Sequence, residues 1–230
     1  MVKAVISTTM DDKYLWFVPL VTHLLNKLDV GVILFVPKSA TETEKQKLHL
    51  GLNCLNYGYN ENEVYYFDAP PHKAATYCQC LRNYAACLDL DDDTLLFTTD
   101  IDMALFKIPE YIDNGQFSVF GYDLVPQGQY PQCYVTAPVK TWREVFNLND
   151  KTYQQAIDEL LGEDECEHYR GCRWSVDQEQ SFLNISKVNH NLIPRARPNT
   201  QFANHRVDRD DINWRSYVNE DLIDAHLWRD

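Results

Sequence analysis

The sequence lacks an excess of positive charge, and this absence excludes one class of partner. Its 21 lysine and arginine residues are outnumbered by 34 aspartate and glutamate residues, which gives a formal net charge of -13. Binding a nucleic-acid backbone requires clustered basic side chains, so no nucleic-acid partner is expected. A small phosphorylated ligand is compatible with this charge if a metal ion or a few local arginines neutralise it.

The sequence also lacks paired cysteines. Its 7 cysteines are an odd number and include no CxxC pair. Cys78 and Cys80 form only a CxC, without a histidine and cysteine cluster at the spacing of a zinc site. Disulfides are therefore not required, and a reducing compartment, the cytoplasm, is the expected location.

Long apolar runs are missing as well. The N-terminus has no basic segment followed by an apolar stretch, as a signal peptide would have. No stretch approaches the roughly 18 consecutive apolar residues of a membrane span. The chain is predicted to be either a soluble enzyme or the N-terminal domain of a longer polypeptide, without a membrane span.

What the first hundred residues do contain is an alternation of strand-like and helix-like patterns. This alternation is typical of βαβ units, so it predicts an α/β fold with a mainly parallel sheet flanked by helices. The predicted strands are Val2–Ser7, Gly31–Val36, Val64–Phe67 and Thr94–Thr99. The predicted helices are Tyr14–Leu28, Thr41–Leu50 (with Thr41 and Glu44 as a capping box) and Ala74–Leu88.

The later residues show a more mixed pattern. Strands are predicted at Phe117–Tyr122 and Cys133–Ala137, helices at Trp142–Asn147, Thr152–Leu161 and Ser175–Leu183, and a charged loop at Gly162–Gly171. No repeat or long linker marks a boundary. A single domain over residues 1–230 is therefore predicted.

The most informative string is Leu95-Leu96-Phe97-Thr98-Thr99-Asp100-Ile101-Asp102, an apolar strand that ends in a DxD triplet. Ligands of parallel sheets bind beyond the carboxyl ends of strands. The strand delivers both carboxylates into a solvent-facing turn at its end, and in extended backbone Asp100 and Asp102 would share one face, with Cα atoms roughly 6.5–7 Å apart. Oxygen ligands of this kind suit manganese or magnesium. A second triplet, Asp91-Asp92-Asp93, precedes the strand and is interpreted as a solvated turn.

A third metal ligand is expected from elsewhere in the chain. His226 lies in a short apolar segment near the C-terminus, and imidazole is a suitable partner to two carboxylates for manganese. A lone histidine is more often a core or surface residue, and that alternative stays open.

These features together resemble the GT-A fold glycosyltransferases. They comprise a first strand with a polar turn (Ser7–Tyr14), an arginine-bearing helix, the strand-end DxD, an Asp177-Gln178 pair and a late histidine. The resemblance covers nearly the whole chain in element order. It is greatest to the retaining group of lipooligosaccharide galactosyltransferases and glycogenin, and extends to the glycosyltransferase domain of large chlorella viruses, part of a longer protein that builds capsid glycans.

The resemblance implies a fold and an activity. The fold is a GT-A (Rossmann-like), mainly parallel sheet, with a nucleotide-binding half at about 1–102 and an acceptor-side half at about 103–230. The activity is transfer of a hexosyl group from a UDP-sugar to a glycan acceptor, in viral or surface glycan synthesis and, if viral, in the host cytoplasm. The sugar remains open among glucose, galactose, rhamnose and others.

The resemblance also implies site residues. Thr8, Thr9, Asp12 and Tyr14 match the turn that binds the base and ribose, or are an ordinary strand–helix turn. Asp100, Asp102 and His226 match the metal ligands, with Ile101 between the two aspartates. Arg82 matches a residue that reaches the donor sugar or diphosphate. Asp177 and Gln178 match the pair at the donor hydroxyls and the reacting carbon.

Two departures from the family pattern stand out. His226 is followed by Leu227-Trp228, where the family often has a Lys-Pro-Trp type stretch, and the Gly162–Gly171 loop has no match. Several alternatives therefore stay open: an inverting transferase with Asp177 as base, a DxD metal-dependent phosphatase, a nucleotidyltransferase and a non-catalytic sugar-binding domain. Met103-Ala104-Leu105 after the DxD counts against the phosphatase, which usually has a small polar pair there.

Overall fold

The computed structural model of the chain describes residues 1–55, 62–107, 115–120, 122–133, 135–162, 174–193, 206–207 and 224–226. The strands within these ranges are β1 (Val2–Ser7), β2 (Gly31–Pro37), β3 (Asn62–Phe67), β4 (Leu95–Thr98), β5 (Met103–Leu105), β6 (Phe117–Phe120), β7 (Thr136–Pro138), β8 (His190–Ile193), β9 (Arg206–Val207) and β10 (Asp224–His226). The α-helices are α1 (Asp12–Leu15), α2 (Phe17–Lys27), α3 (Glu42–Leu55), α4 (Ala74–Leu81), α5 (Val139–Val145), α6 (Tyr153–Leu161) and α7 (Val176–Ile185). Short 3-10 helices lie at Pro71–Lys73, Arg82–Cys87 and Tyr122–Gln127.

The larger sheet has seven strands in the order β3-β2-β1-β4-β7-β6-β8. Strands β1 to β4 pair in parallel, and so do β6 and β8. Strand β7 is antiparallel to both of its neighbours, β4 and β6. The predicted α/β fold with a mainly parallel sheet is therefore confirmed, and this sheet takes strands from both predicted halves of the chain.

Both faces of the larger sheet are covered by helices. On β1, Ala4 and Ile6 pack into the same cluster as Val18 and Leu25 of α2. Val5 lies in a second cluster, which contains side chains from α4, α5, α6 and α7. Because both faces are buried, the central strands are continuous apolar runs, which made them recognisable in the sequence.

Two predicted helices are shorter than expected. The pattern at Tyr14–Leu28 forms α1 and α2, which are separated at Trp16. Pro19 explains this break, because it has no N–H to donate to the carbonyl of Leu15 and is tolerated only in a first helical turn. The pattern at Ala74–Leu88 forms α4, which ends at Leu81 and continues as the 3-10 helix Arg82–Cys87.

The smaller sheet was not predicted. It has the order β5-β10-β9, and β10 is antiparallel to β5, with His226 opposite Met103. Strands of two or three residues carry too little periodicity to be recognised. The predicted charged loop, after Gly162, lies outside the described residues. Among the described helices, none is long and apolar enough to cross a membrane.

Lys73 is a buried lysine that joins two helical elements. Its Nζ donates to the main-chain carbonyls of Leu161 (2.8 Å) and Gly162 (3.3 Å) at the end of α6. A cation at this position donates to carbonyls at the C-terminal end of α6, where it also interacts favourably with the helix dipole.

We expect Lys73→Met to lower the free energy of unfolding by about 1–3 kcal/mol, because the buried Leu161 carbonyl and the partly buried Gly162 carbonyl lose their donor while the volume is kept. Urea denaturation measures this change. The matched control is Lys140→Met, which removes an exposed lysine paired with Asp93 and should change stability by less than about 0.5 kcal/mol. Equal effects of the two substitutions would contradict the role assigned to Lys73.

Candidate active site

The candidate site lies where the order of the strands reverses. From β1 the chain adds β2 and β3 on one side, and β4 then returns to the other side of β1. In open α/β sheets ligands bind beyond the carboxyl ends of the strands at such a switch point. The segments after β1 and after β4 carry Thr8 to Tyr14 and Asp100 to Asp102 respectively. The fold therefore brings two predicted parts of the site to one edge.

The turn after β1 is partly held by its own side chains. The Thr8 hydroxyl is buried and accepts a hydrogen bond from the Met10 N–H at 3.3 Å. Thr9 is half-buried, and the half-buried Tyr14 ring packs against the core beneath α2. Asp12 begins α1, and its side chain lies outside what the structure describes. Thr8 is thus engaged in the turn, while ligand contacts by these four residues remain predictions.

The DxD triplet forms a turn, and the expectation of extended backbone is wrong. Strand β4 ends at Thr98, and the Met103 N–H donates to the Asp100 carbonyl at 3.1 Å. The chain must reverse here in order to enter β5, so Asp100 and Asp102 occupy positions i and i+2 of a turn. Ile101 and Asp102 are both buried, whereas the Asp100 side chain is 34% exposed.

Asp100 is bound by two side chains from other parts of the chain. The Arg82 guanidinium forms an ion pair with Asp100 Oδ1. The Cys133 thiol donates to Asp100 Oδ2 at 2.9 Å. The carboxylate at the end of β4 is therefore held in a fixed orientation from both sides.

Arg82 is the centre of the cluster and is only 6% exposed. Besides Asp100, its Nη2 donates to Asp177 Oδ2 at 3.0 Å, and its Nη1 donates to the Thr99 carbonyl at 3.2 Å. Burial alone would lower the pKa of Arg82, but the charges of Asp100 and Asp177 outweigh it and raise the pKa. The guanidinium therefore stays charged. Its contacts in the structure are with two carboxylates and the Thr99 carbonyl, and contact with the donor remains a prediction.

Asp177 and Gln178 lie in the first turn of α7. The Asp177 side chain is 3% exposed, and its Oδ1 accepts from the Gln178 N–H at 2.9 Å. The Gln178 carbonyl accepts from the Tyr130 N–H at 3.1 Å, which ties the start of α7 to the segment before β7. The structure thus brings Asp177, Arg82 and Asp100 together, while contacts of Gln178 with a sugar remain a prediction.

Burial raises the pKa of the Asp177 carboxyl to about 6, from an ordinary value of 3.8. Arg82 opposes this rise by attracting the ionised form, and Asp100 adds to it by repulsion. A perturbed carboxyl in contact with a buried arginine is a common feature of functional sites.

The described residues supply some, but not all, of the ligands that a metal ion would need at this site. His226 pairs with Met103, the residue after Asp102, so its Cα lies about 5 Å from that of Met103. The His226 side chain lies outside what the structure describes. Among the side chains that are described, no group of three His, Cys, Asp or Glu residues could hold a metal. Asp100 and Asp102 would therefore need a further ligand, and the β10 register makes His226 the natural choice.

The second acidic triplet has a different environment. The exposed Asp92 pairs with the half-buried Arg143 of α5 at 2.6 Å, and the exposed Asp93 pairs with the exposed Lys140 of α5 at 3.2 Å. These surface contacts agree with the interpretation of Asp91–Asp93 as a solvated turn.

Sequence reasoning missed Asn83, Gln132, Cys133 and Ser181 as members of the cluster. Asn83 follows Arg82 directly, and Cys133 and Gln132 come shortly before β7. None belongs to a recognisable motif, because their contacts join residues between 33 and 98 positions apart in the sequence.

The pKa of Asp177 predicts a pH dependence of stability. A carboxyl with a folded pKa above its unfolded value stabilises the fold at low pH, and this stability is lost as pH rises from about 4 through 6. In Asp177→Asn this loss is absent. We expect the free energy of unfolding of the wild type, minus that of the variant, to fall by about 1–3 kcal/mol over this range in urea titrations. If this difference in the free energy of unfolding grows with pH instead, the attraction of Arg82 outweighs the effect of burial on the Asp177 pKa.

Comparisons with known proteins bear on the fold. No protein-family model and no curated protein matches the chain. The solved structure of the galactosyltransferase LgtC, in complex with donor and acceptor sugar analogues, is similar with a TM-score of 0.52 and 10% identity, covering 98% of this chain and 86% of that one. The structure of an active-site mutant of LgtC, with glutamine replaced by glutamate, is similar with a TM-score of 0.53 and 11% identity, and again covers 98% of this chain and 86% of that one. The chain thus has the GT-A fold of LgtC, a seven-stranded central sheet flanked by helices.

Proposed function

We propose that the chain is a metal-dependent glycosyltransferase, which transfers a hexosyl group from a UDP-sugar to a carbohydrate hydroxyl with retention of configuration. The observation that carries the proposal is the buried Arg82 between Asp100 and Asp177, at the carboxyl edge of β4. This cluster lies at the switch point of the sheet, where nucleotides bind in related architectures. It combines a fixed positive charge with carboxylates in one place.

The chemistry requires compensation of negative charge. Cleavage of the sugar–diphosphate bond leaves that charge on the departing nucleotide, and preorganised charges stabilise it without moving. A bound manganese or magnesium ion, held by Asp100, Asp102 and His226, would act as a Lewis acid toward the diphosphate. Arg82 holds the orientation of Asp100 through their ion pair and adds positive charge to the site.

The environment of Asp177 supports retention. An inverting enzyme needs an accessible carboxylate to deprotonate the acceptor. Both Asp177 oxygens already accept hydrogen bonds, from Arg82 and from the Gln178 N–H, and the side chain is almost fully buried. In the retaining route the leaving diphosphate can take the acceptor proton itself, and Asp177 stabilises the positive charge that develops on the sugar.

The similar structures support the substrate class. LgtC is a galactosyltransferase, and its complex contains donor and acceptor sugar analogues. We extend the proposal to a donor nucleotide-sugar and a glycan acceptor for this chain. A place in viral or surface glycan synthesis, as the N-terminal domain of a longer polypeptide, rests on the sequence resemblance alone.

The primary test is donor cleavage together with metal binding. We expect slow UDP release from UDP-glucose or UDP-galactose with manganese, and none after chelation. Asp102→Asn should weaken Mn²⁺ binding, measured by the loss of the free-ion EPR signal, by about 10- to 100-fold, because a charged ligand is lost. Asp93→Asn, in the surface triplet, is the matched control and should bind Mn²⁺ as the wild type does.

Other outcomes separate the alternatives. Phosphate release from simple monoesters supports a phosphatase, and pyrophosphate release from nucleoside triphosphates supports a nucleotidyltransferase. Sugar binding without any turnover supports a non-catalytic domain. If Asp102→Asn binds Mn²⁺ and cleaves donor like the parent, the metal site proposed here is wrong.

Retention has its own test, which needs no acceptor. During hydrolysis of UDP-α-galactose, we expect proton NMR to detect the α anomer of galactose first, before mutarotation. We expect retention because Asp177, the buried carboxylate of the described cluster, is shielded from acting as a general base. If the β anomer is formed first, the enzyme inverts, and a carboxylate must act as general base.

A further inference from the structure

A four-residue segment, Tyr130–Cys133, contacts both sides of the candidate site, and we call it the bridging segment. At one end, the Tyr130 N–H donates to the Gln178 carbonyl in the first turn of α7. At the other end, the Cys133 thiol donates to Asp100 at 2.9 Å. The bridging segment therefore spans from the carboxylate after β4 to the helix that carries Asp177.

Gln132 makes the central contacts of this segment and is buried. Its Nε2 donates to the main-chain carbonyl of Asp177 at 3.2 Å and to the Ser181 hydroxyl at 2.5 Å. Its own main-chain carbonyl accepts from the Thr98 hydroxyl at 2.6 Å. Gln132 thus connects Thr98, the last residue of β4, with Asp177 of α7, which contacts Arg82.

Two further buried side chains complete the network. Asn83 Nδ2 donates to the same Asp177 carbonyl at 3.1 Å, and the Ser181 hydroxyl donates to Asn83 Oδ1 at 3.2 Å. Burying neutral amides costs free energy that an apolar residue of the same size would not cost. The hydrogen bonds of the two amides are directional, so together they restrict the position of the Asp177 main-chain carbonyl.

We propose that Gln132 is a positioning residue for glycosyl transfer, which sets the place of Asp177 relative to Asp100. This inference rests on the proposed function, since Asp177 is there the group that stabilises the positive charge developing on the sugar. The Asp177 carboxylate is oriented by Arg82, but its backbone is placed by Gln132 and Asn83. Loss of either amide lets the start of α7 shift, and small misplacements of a reacting group are costly in rate.

The test is steady-state donor cleavage by Gln132→Met, which keeps the length of the side chain and removes its donor. We expect kcat to fall about 10- to 100-fold, while KM for the UDP-sugar and Mn²⁺ binding by EPR change less than about twofold. The matched control is Gln154→Met. Gln154 makes two hydrogen bonds to the main chain of Asp68 on the surface, and its loss should leave kcat unchanged.

The outcomes are distinguishable. An active wild type with an equally active Gln132→Met protein overturns the positioning role but leaves the proposed function in place. A fall in kcat that is matched by Gln154→Met, or by equal loss of Mn²⁺ binding, also overturns it, because the effect is then general destabilisation. A wild type that cleaves no donor overturns the proposed function and this role with it.

Asn83→Leu combined with Gln132→Met should lower kcat by less than the product of the single effects, because both amides hold one carbonyl.

Discussion

The buried guanidinium of Arg82 imposes the main constraint on this structure. Removing a charge from water is costly unless partners and hydrogen bonds compensate it, and loss of one partner leaves an uncompensated charge. Arg82 therefore requires Asp100, Asp177 and the Thr99 carbonyl to be near it at once. The end of β4, the 3-10 helix after α4 and the first turn of α7 are consequently fixed relative to one another.

The change from α4 to a 3-10 helix serves this constraint. The residues from Arg82 to Cys87 wind more tightly than an α-helix, with three residues per turn. The adjacent residues Arg82 and Asn83 are both buried, and both contact Asp177, one through its carboxylate and the other through its carbonyl. Two consecutive side chains thus hold one residue of α7.

The parts of the fold that the sequence predicted are those with continuous physical patterns. Strands β1, β2 and β4 are mostly apolar and buried on both faces, and the capping box of Thr41 and Glu44 marks the start of α3. Of the residues named from the sequence, the structure brings Arg82, Asp100 and Asp177 into one cluster, while ligand contacts of Asp102 and Gln178 stay predictions. The pairing of the short strands β5 and β10 and the contacts of Gln132 could not be predicted, because they depend on residues that are adjacent only after folding. Metal binding and the role of His226 stay predictions.

The short antiparallel strand β7 has a consequence for recombination between related proteins. It joins the strands of residues 1–102 to those of residues 103–230 by three residues. Side chains add further links between these two parts of the chain, among them those from Arg82 and Asn83 to Asp177 and from Thr98 to the Gln132 carbonyl. A chimaeric protein that exchanged the second half alone would break these pairs. The bridging segment, α7 and the 3-10 helix Arg82–Cys87 would have to come from the same parent protein.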